Sequence, residues 1–95
     1  MNEQELTRKL NSVGKSAFVV FFDLFKEFSN GRISRDACID LLVNKKVSNS
    51  AGAAIRTGNA QQIFRAGMEQ EALEIVANSD RLDVAITSMA RKLLA

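Results

Sequence analysis

The chain has 95 residues, of which 46% are hydrophobic and 25% charged, with one cysteine, no histidine, proline, tryptophan or tyrosine, and a formal net charge of +2. This is the composition of one globular domain with a modest core, and it excludes a disordered, fibrous or disulfide-stapled chain. The lack of histidine removes Ser-His-Asp and Cys-His catalysis and most zinc sites, and so small a net charge does not by itself mark a nucleic-acid binder.

Hydrophobic spacing reads as helix almost throughout. Asn2 or Glu3 opens a short polar helix carrying Leu6 and Leu10, with Asn11-Ser12 as a cap and Gly14 as a hinge. A second helix is predicted from Lys15 to Phe28. Its Phe18, Phe21, Phe22, Phe25 and Phe28 recur at helical spacing on one face, and Val19, Val20 and Leu24 make the other faces apolar too. A helix apolar on nearly every side belongs at the centre of a bundle. Phe and Val also favour strands, but the phenylalanine period runs through Asp23, Lys26 and Glu27 without changing to two.

Ser29-Asn30-Gly31 closes that helix, with Gly31 suited to a left-handed cap. Ser34 caps the third, whose Ala37, Cys38, Leu41, Leu42 and Ile33 are expected to face inward and whose end is Asn44-Lys45-Lys46. Ser48 caps a helix of small residues, Ala51 to Ile55, and Gly58-Asn59 is read as a stop and restart before a short helix with Ile63 and Phe64. After Gly67, Met68–Asn78 is amphipathic through Met68, Ala72, Leu73 and Val76. Ser79-Asp80 is expected to cap a last helix with the stripe Leu82, Ala85, Ile86, Met89 and Leu93. The expected fold is all-α: a compact, single-domain, orthogonal bundle of about six short helices around a central Phe-rich helix, spanning residues 1–95. One self-similarity stands out: Ile39–Asn44 resembles Leu73–Asn78, 34 residues on, the length of a tetratricopeptide helix pair, but the match covers one helix and lacks that repeat's aromatic and proline positions.

Several chemistries fail on their spacing. With Gly31 as the glycine of a calcium loop, Lys26, Phe28 and Ala37 stand where oxygen ligands are needed. Gly52–Gly58 has the wrong glycine spacing for a phosphate loop, and Asn59 replaces the lysine. The pairs Asp36/Asp40 and Glu71/Glu74 share helix faces but fit solvated positions. Cys38 reads as a small buried hydrophobe. No catalytic, cofactor-binding or metal-binding residue is therefore assigned, and no enzyme is expected. The polar start, Met1–Lys9, carries no secretory pattern, the apolar run Ala17–Phe22 is too short to span a bilayer, and a lone thiol suits a cytoplasmic location.

Charge is distributed unevenly. No acid lies between Asp40 and Glu69, whereas Lys45, Lys46, Arg56 and Arg65 do; from Glu69 to Asp83 acids dominate. The basic stretch also holds Ser48, Asn49, Ser50, Asn59, Gln61 and Gln62, side chains able to contact phosphates and base edges. Asp36–Asn44, Lys45–Val47 and Ser48–Arg56 can be drawn as a helix-turn-helix reading DNA. The expectation with more support is a non-enzymatic protein-interaction module, an adaptor or regulator whose partner is another protein or a second copy of itself. A surplus of apolar surface on the Phe-rich helix would supply the contact. The candidate partner- or nucleic-acid-binding residues are Lys45, Lys46, Ser48, Asn49, Ser50, Arg56, Asn59, Gln62 and Arg65.

Overall fold

The computed structural model describes the whole chain, Met1–Ala95. It contains seven α-helices and no strand: α1 Glu3–Val13, α2 Lys15–Val20, α3 Phe22–Ser29, α4 Arg35–Asn44, α5 Ser50–Arg65, α6 Glu69–Ala77 and α7 Val84–Leu94. The radius of gyration is 12.3 Å, against about 12 Å expected for a single domain of this length.

The Phe-rich stretch is central, but it is two helices. Phe21 leaves helical geometry at φ −107° and ψ 23°, while its N–H still bonds Ala17 O and its carbonyl still accepts from Phe25 N. The axis therefore bends without losing its hydrogen bonds. Neither proline nor glycine sits at the bend, so the local sequence does not impose it. Packing divides there: α2 lies against α1, α6 and α7, and α3 against α4 and α5, so the pair touches every other helix. Phe18, Phe22, Phe25 and Phe28 are buried. Phe64 of α5 joins them, its ring centroid 5.2 Å from that of Phe22 and 5.9 Å from that of Phe18, within the range of favourable aromatic pairs.

Several boundaries differ from the sequence expectation. Asn49, not Ser48, caps α5, accepting from Gly52 N at 2.8 Å. Gly58-Asn59 does not interrupt α5, which runs unbroken for 16 residues. The cost of one mid-helix glycine, about 1 kcal/mol, is outweighed by burying Ala53, Thr57, Ala60 and Ile63 along one face. The last helix is capped by Asp83, through Ala85 N at 2.8 Å, and not by Ser79-Asp80. Ser79 Oγ instead donates to Ile75 O at the end of α6.

Two inward faces also differ in part from the expected ones. On α4, Ala37 is exposed and Leu41 is 43% exposed, while Cys38 and Leu42 are buried with Ile39 and Val43 beside them. On α7, Ala85 and Met89 are exposed and Thr87 and Ala90 are buried, while Ile86 and Leu93 pack against the core as expected. On α7 the buried residues are small, Thr87 and Ala90. α6 and α7 pack against each other, and their buried residues include the small Ala72, Ala77, Thr87 and Ala90. The 34-residue self-similarity extends to architecture: α4 and α6 start at residues 35 and 69, α5 and α7 at 50 and 84, and the caps Asn49 and Asp83 keep the same offset.

Candidate functional site

The expected site residues do not form one face. Lys45, Lys46, Ser48, Asn49 and Ser50 gather at the corner between α4 and α5. Lys46 occupies the left-handed cap position at φ 60°, and Val47 N bonds back to Leu42 O, a helix end usually given to glycine. Arg65 lies at the other end of α5, about 22 Å along the axis from Ser50 at 1.5 Å per residue. Arg56 and Arg65, nine positions apart, point to opposite sides of the helix, since nine steps of about 100° make two and a half turns. Asn59 spends its amide on Ile55 O at 2.9 Å, and Gln62 is exposed on the outer face.

Arg56 has a structural task. Its Nη1 donates to Val13 O at the end of α1, so a cation from α5 caps the carbonyl end of a helix, where positive charge is favoured. It passes over Gly14, whose φ is +93°; a β-carbon there would lie 2.6 Å from Arg56 Nη1. The glycine expected as a hinge thus serves both the backbone turn and this contact.

Beside Arg56 runs a shallow groove of about 610 Å³, lined by Lys15, Ala17, Val20, Phe21, Val47 and Leu82 among others. Val20 is 48% exposed, and Phe21, Val47 and Leu82 are half-buried. Lys15 Nζ donates to Ser79 Oγ at 3.1 Å. Both cations are thus fixed by neutral acceptors. Neither joins an ion pair, the one in the molecule being Arg32–Glu27, and no acid lines the groove. Its positive charge is therefore uncompensated, next to apolar surface. Sequence reasoning found Arg56 but missed Lys15, Phe21, Val47 and Leu82 as a group. They come from three segments, and the sequence signals only that Val20 sits on a surplus apolar face.

The surplus is smaller than expected. The rings at Phe18, Phe22, Phe25 and Phe28 are covered, and the large exposed hydrophobics are Met1, ahead of the first helix, and Val20, Leu41, Ile55, Val84 and Met89, on four different helices.

Cys38 is buried, its Sγ 3.6 Å from Thr57 Oγ1. Burial pushes its thiol above the ordinary value of 9.0, partly opposed by the Thr57 contact, so it is held as an unreactive thiol. No three His, Cys, Asp or Glu side chains gather as a metal-ion site, and no helix is long and apolar enough to cross a membrane. No protein family, curated protein or solved structure matches the chain.

Proposed function

We propose that this protein is a non-enzymatic interaction module, and that its Lys15–Arg56 groove receives an acidic amphipathic helix of another protein. One observation carries the reading: two cations held in place by neutral groups border an apolar strip, Val20, Phe21, Val47 and Leu82, with no acid among them. A helix with leucines on one edge and glutamates beside them would cover the strip and neutralise the cations, the usual mode of helix-in-groove recognition. The unpaired, buried thiol suits a reducing, cytoplasmic setting. The nucleic-acid alternative has less support, because only Lys45 and Lys46 of the basic stretch sit together at an exposed corner, and two phosphate contacts contribute little affinity.

The test is fluorescence anisotropy with a labelled leucine–glutamate helical peptide and its leucine–lysine counterpart. The acidic peptide should bind, more weakly at high salt, and Lys15→Glu should reduce affinity about tenfold, the loss of roughly one charged contact. Indifference to the peptide's charge, or to Lys15→Glu, overturns the reading. Self-association abolished by Glu71→Lys/Glu74→Lys would make a second copy the occupant, supplied by its acidic α6, and overturn the assignment to another protein.

A further inference from the structure

Apart from the peptide groove, α3, the end of α5, the start of α6 and the end of α7 line a smaller cleft of about 340 Å³, a size within the range of small-molecule sites, about 300–1,000 Å³. Phe22, Phe64 and Leu93 supply apolar walls. Lys26 and Arg65 also line it, as do Asp23 and Glu69, yet none of these four charges is paired with another. The two buried side-chain oxygens in the protein without a hydrogen-bond partner are Ser29 Oγ and Glu69 Oε2, and both belong to residues of this cleft. Buried polar atoms are nearly always satisfied, and both of these belong to residues of one cleft, where rotation of each side chain would turn its oxygen toward a bound donor.

We propose that this cleft binds a small zwitterion of the free α-amino acid class. Glu69 is an acceptor, and Ser29 can accept as well; together they match the three donors of an ammonium group. Arg65 and Lys26 match a carboxylate, Arg65 with a fork suited to two oxygens. The two rings and Leu93 match an apolar side chain. A simple anion would leave Asp23 and Glu69 facing it with like charge, and a simple cation would do the same at Lys26 and Arg65. A zwitterion meets both pairs.

The experiment follows backbone amide shifts of the full chain by NMR during titration with L-leucine, leucinamide (no carboxylate) and 4-methylpentanoate (no ammonium). L-Leucine should give saturable shifts centred on Ser29, Arg65, Glu69 and Gln70, with each analogue about tenfold weaker or worse, the loss of one charged hydrogen-bond set. Arg65→Gln should weaken L-leucine similarly while its thermal melt stays that of the parent. Glu69→Gln should do the same, and Lys26→Gln provides a third variant if either misfolds. Absence of saturable shifts with L-leucine, or equal binding of the three compounds, overturns the proposal. The outcome is independent of the peptide groove, which shares no lining residue with this cleft.

Discussion

The inner and outer sides of the α2–α3 segment have the same residue types and opposite fates. Inside, Phe18 and Phe25 are fully buried, with centroids 6.5 Å apart. Outside, Phe21 is half-covered and Val20 half-exposed, beside two unneutralised cations. An apolar side chain in this protein therefore supports folding on one side of the segment and remains open for contact on the other. The helix face, not the bend, separates the two environments, since Phe18 and Phe25 lie on either side of Phe21 and are both inside.

The largest effect is expected on the inner side. Phe25→Ala should cost about 3–5 kcal/mol in denaturant unfolding, the usual range for removing a buried ring. A loss below roughly 1 kcal/mol would show that the ring does not anchor the core. At the hinge, Gly14→Ala places a side chain at a backbone angle that L residues rarely adopt and crowds Arg56. It should cost about 1–3 kcal/mol and also weaken peptide binding, because it displaces one of the groove's two cations. A destabilised variant with unchanged binding would separate Arg56 from the groove.

Cys38 gives a smaller, pH-dependent effect. Its folded-state pKa is raised by burial, so above the ordinary thiol range the unfolded chain loses a proton that the native state keeps. Stability is then fully present below that range and falls as pH rises above it toward the folded value. Thermal melts should decline in the alkaline range, and less steeply in Cys38→Ala. The native thiol should resist a thiol-specific dye until the protein unfolds; rapid reaction of the native protein would contradict its burial. The smallest stability change belongs to the outer side: Val20→Gln should shift unfolding by no more than about 0.5 kcal/mol, yet weaken the acidic peptide measurably by anisotropy. A stability loss as large as that of Phe25→Ala would erase the distinction between the two sides.

Much of this architecture is legible in the amino-acid order, because helical periodicity and caps are local. Asn2, Ser34 and the glycines at 31 and 67 do as their residue types suggest, and the phenylalanine spacing locates the core. The errors have a common source. On α4, Cys38 and Leu42 are buried as their spacing predicts but Ala37 and Leu41 are exposed; on α7, Ile86 and Leu93 pack against the core as predicted, but Ala85 and Met89 are exposed and Thr87 and Ala90 are buried. On α7 the shift toward small side chains depends on how closely a partner helix approaches, and no single helix encodes that distance. Likewise Gly58 looks like a break until the buried face of α5 is known.

The sequence by itself determined an all-helical domain with a phenylalanine-rich centre, because those features follow from spacings of three and four along one chain. Tertiary structure alone decided which charges meet. Arg56 was separated from Lys45, Lys46 and Arg65 and brought to Lys15, and Ser29 was brought to Glu69. The positions of residues 40 apart in sequence depend on how helices cross, and crossing angles are set by packing that involves every helix at once.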